Sequence, residues 1–427
     1  MSREQRQLTL APPQPRQERD GARRRAAGSG GYPLLLIGVF ALAFNLRAAV
    51  TSLPPIFLDL EHRVGISPTT VTVLAAIPLL GFSLCTLLAA PAARRLGEER
   101  VLALATLVLA AGLLMRGADP RLLLLPGTAV ATGAISLLNV LLSSLIKRRY
   151  PERAGILLGL YLTALYLGSI CGAALSVPIL HGANSVRLSL SLWAGTALVA
   201  FFVWIPQLRR GRLAPAPVIH LPVYRSALAW QVASFMGLQS LTYYATVSWL
   251  PTMLRERGLS AGHAGLLAAA LSLGGLATAF GIPLLAHRRT DHRSLVGWNV
   301  ALCVGATVGA FLAPLGAVPF FIVALGFGQG ATLALALYFF IARSPSAAAA
   351  ASLSAMSQGF GYLLAASGPL IVGLVHSALG SWTVPMLILL AFLVLEGVAG
   401  LLAARPRTLP LLVPAGAGER SAGPGGE

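Results

Sequence analysis

The sequence predicts an all-α polytopic membrane protein with twelve transmembrane helices arranged as two halves of six. Of its 427 residues, 56% are hydrophobic and only 11% are charged, whereas soluble domains average about 25% charged residues. The mean hydropathy is +0.76. Apolar windows of about 20 residues, the length that crosses a bilayer, occur at 33–56, 68–92, 100–116, 121–146, 154–180, 187–206, 222–250, 259–286, 294–313, 317–341, 346–376 and 381–404.

Positive charge is concentrated on one predicted side of the membrane. The net charge is +18. With the amino terminus inside, basic runs such as Arg94-Arg95 and Arg288-Arg289 fall in cytoplasmic loops, where lysine and arginine are favoured. The predicted outer loops keep only Arg63, Arg116, Arg121, Arg187, Arg255 and Arg257. Both termini are therefore predicted to be cytoplasmic, and the charge requires no nucleic-acid partner.

The cysteines and the two tails carry no predicted site. Cys85, Cys171 and Cys303 lie in separate spans without CxxC or Cys/His spacing, so no disulfide, metal site or cofactor is predicted. Residues 1–31 and 406–427 are predicted to be disordered cytoplasmic tails, because they have too little apolar surface to fold alone. The first apolar run exceeds the core of a signal peptide, about 7–15 residues, so it is predicted to be a retained span.

An internal repeat divides the chain into halves 32–206 and 222–405, joined by a basic, proline-rich linker at 207–221. Each half contains a Leu-Pro pair, a Gly-x-Ser turn, an apolar span and an Arg pair in the same order. Parallel repeats of this kind are typical of transporters with a site between the halves. The turn serines, Ser67 and Ser260, are predicted to cap the helices that follow them.

The basic loops at the end of the second and eighth spans have two interpretations. Mixed charges in tight loops can form ion pairs that hold one arrangement of the bundle. Alternatively, these loops serve only as topology signals. The residues predicted to act as a gate under the first interpretation are Arg94, Arg95, Arg288, Arg289 and Asp291.

Arg47 is the most informative residue of the first span. It lies about 21 Å along the span at about 1.5 Å per residue, past the midplane of a hydrocarbon layer about 30 Å thick. An arginine at such depth costs about 2.5 to 3.5 kcal/mol and usually faces a bundle interior or an aqueous cavity. We predict that Arg47 lines a substrate path; the alternative is that it snorkels to headgroups or holds helices together.

Other polar residues recur at membrane depth with helical spacing. Gln239 and Tyr243 are four residues apart, as are Gln358 and Tyr362, so each pair shares one helix face. Asn45, Asn139 and Gln329 complete the predicted substrate-binding set, and the glycines around Gln329 permit close helix approach. Each residue could instead bond a neighbouring helix, at about 0.6 kcal/mol.

Acidic residues are scarce within the predicted spans. Glu396 alone lies inside one, late in the last span, and the histidines lie in loops or at span ends. Membrane enzymes need general acids, bases or metal ligands, and no such cluster occurs in the sequence. Glu396 is predicted to be a snorkelling or packing residue near the cytoplasmic face.

Several separated motifs resemble one transporter family. The motifs are Asn45-Leu46-Arg47, Asn139-Val140-Leu141-Leu142, Leu145-Ile146-Lys147-Arg148, Gly159-Leu160-Tyr161, Gln239-Ser240, Tyr244, Trp249-Leu250-Pro251, Gln358, Gly361-Tyr362 and Gly368-Pro369. Over about 34–404 the chain resembles the cyanate and 2-nitroimidazole transporter family of the major facilitator superfamily. The resemblance implies that spans 1, 4, 7 and 10 surround a central cavity and that spans 3, 6, 9 and 12 face lipid, with Glu396 outside the cavity.

The chain departs from the family pattern at four positions. Ala48 and Ser143 stand where proline is frequent, Gly359 where serine is frequent, and Val186 where an aromatic residue is usual. Proline removes an intrahelical hydrogen bond and kinks a helix. The first and fourth spans are therefore predicted to be straighter than in the family.

The predicted function is secondary transport, not enzymatic catalysis. The chain would move a small polar or anionic solute, cyanate-like or a small organic anion, across the bacterial inner membrane by alternating access. Arg47 would attract the solute, and the amides and phenols would orient it. The predicted partners are this small molecule and the lipid bilayer, and a monomer is compatible with this function.

Two alternative functions remain open. In the first, a xenobiotic transporter of nitroimidazole-like compounds uses the same fold, and Arg47 is structural. The aromatic residues that would then bind solute are Tyr161, Tyr166, Tyr243, Tyr244 and Trp249. The second is a polytopic membrane enzyme, which the missing carboxylate and histidine clusters disfavour.

Overall fold

The computed structural model describes residues 32–150, 153–209 and 222–410. The predicted tail 1–31, residues 210–221 of the predicted linker and residues 411–427 of the second tail lie outside the described residues.

Twelve long helices form the described part of the chain. The first six are α1 Tyr32–Thr51, α2 Pro68–Leu96, α3 Glu98–Ala118, α4 Leu124–Arg149, α5 Ala154–Ala183 and α6 Val186–Trp204. The second six are α7 Ala227–Glu256, α8 Ala261–His287, α9 Arg293–Leu312, α10 Val318–Ala342, α11 Ala347–Leu379 and α12 Thr383–Ala403. No strand occurs among the described residues, so the predicted all-α fold is confirmed.

Eleven of these helices are long and apolar enough to cross a membrane by length and composition. The remaining helix, α7, is 30 residues long, and 21 of them are buried. Its glutamines, threonines and tyrosines lower its hydropathy, but α7 packs against α8, α10, α11 and α12 and keeps most of these residues away from the surface. A polar span is tolerated here because protein surrounds it.

The first span continues beyond α1. A 3₁₀ turn at Pro54–Ile56, a helical turn at Phe57–Asp59 and a π-helical turn at Leu60–Val64 extend it past the predicted end at residue 56. Two adjacent prolines remove backbone donors and prevent a regular α-helix at this point. The extension carries Asp59 to the end of the bundle, where only 7% of this residue is exposed.

The predicted caps of α2 and α8 are confirmed. Ser67 Oγ accepts a hydrogen bond from the backbone N–H of Thr70 (3.2 Å), and Ser260 Oγ accepts one from that of His263 (3.4 Å). Gly65 and Gly258 precede these caps at φ values of 75° and 98°. This left-handed region is accessible to glycine without steric cost.

The two sets of six helices pack in the same pattern. In the first, α1 packs on α5, α2 on α4, and α3 on both α4 and α6; in the second, α7 packs on α11, α8 on α10, and α9 on both α10 and α12. Between the sets, α2 packs on α11 and α5 on α8. Exchanging the sets therefore reproduces the arrangement, as expected for parallel repeats.

Glycine brings several of these helices into backbone contact. A Cβ atom on Gly326 of α10 would lie 2.0 Å from the Leu271 carbonyl oxygen of α8, and one on Gly168 of α5 would lie 2.0 Å from that of Phe44 in α1. No other residue fits at these distances without a shift of the helices. The predicted close approach at the glycine run of α10 is confirmed, and the contact at Gly168 fixes the depth of α1, which carries Arg47.

The two ends of the bundle are named by residues that lie there. The Asp59 end contains the carboxyl ends of α1, α3, α5, α7, α9 and α11, as contacts such as Arg63 Nη1 to Asn184 Oδ1 (2.9 Å) show. The Glu98 end contains the opposite ends, as the ion pair of Arg148 and Glu98 (2.8 Å) shows.

Candidate substrate site

Arg47 connects the two sets of helices through α1 and α7. Its Nη1 atom donates a hydrogen bond to Tyr243 Oη (3.2 Å). Its guanidinium carbon also lies 5.2 Å from the ring centroids of Tyr243 and Tyr244. Aromatic faces attract cations within about 6 Å, by about 0.5–2 kcal/mol. The half-buried arginine is therefore held at the interface by a phenol oxygen and two ring faces.

Further tyrosines lie near this cation, and together with Tyr243 and Tyr244 they are called the aromatic enclosure. They are Tyr161 and Tyr166 of α5 and Tyr362 of α11, and Phe82 packs against both Tyr244 and Tyr362 with ring centroids 6.3 and 5.6 Å apart. Tyr161 Oη donates a hydrogen bond to Asn139 Oδ1 of α4. The structure therefore brings Asn139, Tyr243 and Tyr362 of the predicted site together with Arg47.

No carboxylate forms an ion pair with Arg47 in the part of the chain that the structure describes. The described residues also contain no group of three or more His, Cys, Asp or Glu side chains that could hold a metal ion. The site is therefore a cation lined by phenols, with hydrogen-bonding capacity and flat apolar surface on the same wall.

Two predicted site residues are directed elsewhere. Asn45 is buried between α1 and α6, where its amide donates to the Thr196 carbonyl oxygen (3.2 Å) and accepts from the Thr196 hydroxyl (2.6 Å). Gln358 Nε2 donates to Ser354 Oγ one turn earlier on α11 (2.8 Å). In this conformation the amide of Asn45 makes a contact between helices two residues from the cation, and the substrate-binding roles of Asn45 and Gln358 stay predictions.

The predicted residues Gln239 and Gln329 lie buried inside the second set of helices. Gln239 Oε1 accepts from Ser240 Oγ (3.3 Å), and Gln329 Nε2 donates to Thr246 Oγ1 of α7 (3.1 Å). Helical spacing identified the face of each residue but could not identify the helix opposite it.

Glu396 occupies a different position from the one implied by the family resemblance. Only 1% of the residue is exposed, and its Oε2 atom accepts a hydrogen bond from Thr242 Oγ1 of α7 (2.9 Å). Glu396 therefore does not face lipid, whereas its predicted alternative role as a packing residue agrees with this burial. The position of α12 in the bundle did not decide which of its faces carries Glu396, and that face packs on α7.

From the sequence, Tyr161, Tyr166 and Tyr244 were predicted to bind solute only in the apolar-solute alternative. In the structure Tyr244 lies against the same guanidinium as Tyr243, and Tyr161 and Tyr166 lie near it. The consecutive tyrosines at 243 and 244 were the available signal, because residues 100° apart on a helix can border one site from two sides. The anion-binding and aromatic hypotheses therefore concern one site.

Asp59 links the two sets of helices at its own end of the bundle. Asp59 Oδ2 lies 2.7 Å from Arg255 Nη1 of α7, and Asp59 Oδ1 lies 3.7 Å from Arg63 Nε and 3.6 Å from His181 Nε2. Beside this cluster, the rings of Phe57 and Trp249 pack with centroids 5.9 Å apart. This cluster was not predicted, because the first apolar span was expected to end at residue 56, before Asp59.

The predicted gate residues lie at the Glu98 end. Arg94, Arg95, Arg288, Arg289 and Asp291 are all exposed. Arg289 Nη1 donates to Ser294 Oγ (2.9 Å), and Asp291 pairs with Arg293 (3.8 Å), so both contacts join the loop after α8 to the first turn of α9. The ion pairs that join described residues contain none between the two sets at this end, and the gate remains a prediction.

Long apolar helices in two matched sets, with a cation and aromatic residues between them, define a membrane transporter. Residues 35–366 match the model of the Major Facilitator Superfamily, and the chain belongs to this family. It is a secondary transporter of small solutes and not an enzyme. Alternating access is typical of this fold.

Three relatives confirm the predicted resemblance. The chain is 37% identical to the Uncharacterized transporter YycB of Bacillus subtilis (strain 168), covering 87% of this chain and 94% of the relative. It is 36% identical to the 2-nitroimidazole transporter of Escherichia coli (strain K12), covering 88% and 96%. It is 28% identical to the Cyanate transport protein CynX of the same strain, covering 82% and 91%.

A solved structure supports the fold alone. The crystal structure of a bacterial homologue of the human lysosomal transporter Spinster, inward-facing and unoccupied, superposes with a TM-score of 0.70. The alignment covers 88% of this chain and 97% of that chain at 17% identity.

Proposed function

We propose that this transporter carries a small anionic or negatively polarised solute, which binds Arg47 between the two sets of helices. It would act as a monomer in the bacterial inner membrane, with both termini cytoplasmic. The basic loops Arg94-Arg95 and Arg288-Arg289 support this orientation, since positive loops favour the cytoplasm. The Asp59 end would then face outward.

The observation that carries the proposal is a guanidinium without a carboxylate partner among the described residues. A cation in a poorly solvated site is relieved by an anion, and arginine binds oxyanions through charge-assisted, often bidentate hydrogen bonds. The relatives named for transport of cyanate and 2-nitroimidazole support this solute class. One is an anion, and the other carries a negatively polarised nitro group on a flat ring.

The aromatic enclosure supports a second candidate, transport of flat xenobiotics. Tyr243 and Tyr244 present their rings to the guanidinium, and Phe82 packs edge-on against Tyr244 and Tyr362, with centroids 6.3 and 5.6 Å apart. In this candidate the rings supply the binding free energy and Arg47 only connects α1 to α7.

Substitution of Arg47 separates the two candidates. Arg47→Gln removes a charge-assisted contact of about 1.5–3 kcal/mol, so it should weaken cyanate binding about 10- to 100-fold. Arg47→Lys keeps the charge but not the planar fork, so it should also lose most transport. Ligand-induced thermal shifts with cyanate and 2-nitroimidazole measure binding, and proteoliposome uptake measures transport.

Arg187→Gln is the matched control, because Arg187 is an exposed arginine at the start of α6. It should bind and transport both compounds as the wild type does. If Arg47→Gln transports normally and only melts at a lower temperature, Arg47 is a structural bridge. The xenobiotic candidate then replaces the anion proposal.

A further inference from the structure

Glu396 is a buried acid inside the second set of helices. Besides the hydrogen bond from Thr242 Oγ1 of α7 (2.9 Å), Thr332 of α10 lies beside the same carboxyl group. Thr332 is fixed in turn by Asn299 of α9, whose Nδ2 atom donates to its hydroxyl (2.5 Å). Two helices, α7 and α10, therefore place neutral hydroxyl groups beside this carboxyl, and α9 holds one of these hydroxyl groups in position.

No cation compensates Glu396 among the described residues. The titratable side chain placed against it is Cys303 of α9. From α11, the ring of Tyr362 packs against Phe82 of the first set, with centroids 5.6 Å apart, and His376 pairs with Glu256 (3.1 Å) instead. Arg343 of α10 donates to the carbonyl oxygens of Ala403 and Ala404, about two turns along α12.

An ionised carboxylate in this position would be expensive. Removing an ion from water costs several kcal/mol even after relaxation, and only a well-placed partner recovers that cost. The neutral acid avoids it and gains a donor. The packing described here therefore favours the protonated form, and ionisation requires a conformation in which the carboxyl group reaches water.

The acid is connected to the candidate substrate site through α7. Thr242, which binds Glu396, directly precedes Tyr243, which binds Arg47. Gln329 of α10 reaches the same stretch of α7, while its Oε1 atom is buried without a donor among the described residues. A movement of α7 that alters the Arg47 contact must therefore also alter the surroundings of Glu396.

We propose that Glu396 is a proton-binding site that couples solute transport to proton transport. A proton from water on one side forms an O–H bond with the carboxylate, and the same bond breaks to deliver the proton to water on the other side. Protonation removes a negative charge from the bundle and so favours an anion at Arg47, and by linkage the anion favours the proton. The coupling direction, anion–proton symport, rests on the proposed function.

The proton site is tested without any solute. Infrared difference spectra of the full-length protein in lipid, recorded as pH is raised, should contain the C=O stretch of a protonated acid that shifts in D₂O. The band should disappear as the acid ionises. It should be absent from Glu396→Gln and retained in Glu256→Gln, which alters an exposed carboxylate of α7. Thr242→Val should shift its frequency by removing the hydrogen bond, which identifies the band even if Glu396→Gln does not fold.

Coupling is tested by uptake into proteoliposomes. An inward proton gradient of about one pH unit can drive about tenfold accumulation when one proton moves with each anion. Glu396→Gln should lose this accumulation of cyanate but retain exchange of cyanate across the membrane, whereas Glu256→Gln should retain both. Gradient-driven accumulation by Glu396→Gln would overturn the coupling. Absence of a pH-dependent acid band from the wild-type spectra would overturn the proton site. If the wild type transports neither cyanate nor 2-nitroimidazole, the proposed solute class fails, and the infrared titration still decides the proton site.

Discussion

The two ends of the bundle are joined in different ways. At the Asp59 end, the ion pair of Asp59 with Arg255 connects α7 to the extension of α1. At the Glu98 end, the contacts of Glu98 with Arg148 and of Arg343 with His292 each stay within one set of helices. Alternating access requires one end to close while the other is released. Among the ion pairs that join described residues, the one between the sets therefore lies at the Asp59 end.

Each end also contains a buried arginine that binds backbone carbonyl groups. At the Asp59 end, Arg116 of α3 donates to Ala49 O (3.0 Å), Ser52 Oγ (3.4 Å) and Leu190 O (3.2 Å). At the Glu98 end, Arg343 donates to the last carbonyls of α12. Each of these arginines therefore connects helices within one set.

The largest expected effect follows from substitution of Arg116, whose hydrogen bonds to Ala49, Ser52 and Leu190 are called the Arg116 clamp. Arg116 is 1% exposed, and Arg116→Met removes its three hydrogen bonds to Ala49, Ser52 and Leu190, although Ala49 O keeps the hydrogen bond from Ser52 Oγ (3.2 Å). Hydrogen bonds from a charged group contribute about 1.5–3 kcal/mol each, partly offset because a desolvated charge is also removed, so we expect a loss of about 3 kcal/mol. Thermal unfolding in detergent measures this change.

Arg121→Met is the control for the Arg116 clamp. Arg121 is exposed at the same end and donates to one carbonyl, Val64 O (2.8 Å). Its substitution should cost less than about 1 kcal/mol. Equal melting temperatures for the two variants would show that the buried clamp does not stabilise this end.

Local signals predicted most of the fold. Hydropathy located the spans, Ser67 and Ser260 marked two helix starts, and the glycines around Gln329 marked a close helix contact. These features depend on neighbouring residues in the chain. The extension to Val64 was missed because apolarity ends before Asp59, whose charge is compensated by Arg255, almost 200 residues away.

The candidate site was predicted less completely, because the partner of a polar side chain is set by tertiary packing. Arg47 was identifiable, since an intramembrane charge is costly in any arrangement. Asn45 has the same depth and composition signal, yet Thr196 of α6 satisfies its amide. The burial of Glu396 depends on the rotation of α12 about its axis, which an apolar sequence with few polar residues does not define.

The next largest effect is expected when the ion pair of Asp59 with Arg255, which joins the two sets, is broken. Asp59→Asn removes a pair that is largely shielded from water, worth about 1–2 kcal/mol, and should raise the population open at the Asp59 end about 5- to 30-fold. Spin labels at exposed Arg187 and Ser381, after replacement of the native cysteines by alanine, report the separation of the sets. A longer distance should appear.

Asp119→Asn is the matched control for the ion pair. Asp119 Oδ1 accepts from the backbone N–H groups of Arg121 (2.9 Å) and Leu122 (3.2 Å) within its own loop. This variant should leave the distance distribution unchanged. An unchanged distribution in Asp59→Asn as well would mean that apolar packing such as Phe57 on Trp249 closes this end without the ion pair.

The smallest effect concerns His292 at the Glu98 end. His292 Nδ1 accepts a hydrogen bond from Arg343 Nη2 (2.9 Å), and Nε2–H donates to Ala286 O (3.0 Å). Burial lowers the pKa of His292, and the positive charge of the neighbouring Arg343 also lowers it. The hydrogen bond to Ala286 O raises this pKa but does not outweigh burial. Protonation would replace the acceptor of Arg343 with a second cation.

The sign of the pH dependence follows from this lowered pKa. Near pH 8 the imidazole is neutral in both the folded and unfolded chain, so stability is complete. Below about pH 6.5 the unfolded chain binds the proton first, and stability falls until the folded-state pKa is reached. His292→Gln keeps one acceptor and one donor without titrating, so its melting temperature should decline less than that of the wild type between about pH 7.5 and 5.5.

His263→Gln is the control, because His263 is an exposed histidine of the Asp59 end. Its melting temperature should decline with falling pH as that of the wild type does. If His292→Gln declines equally, other groups produce the acid sensitivity, and the Glu98 end is held by the Arg343 contacts to α12 at every pH.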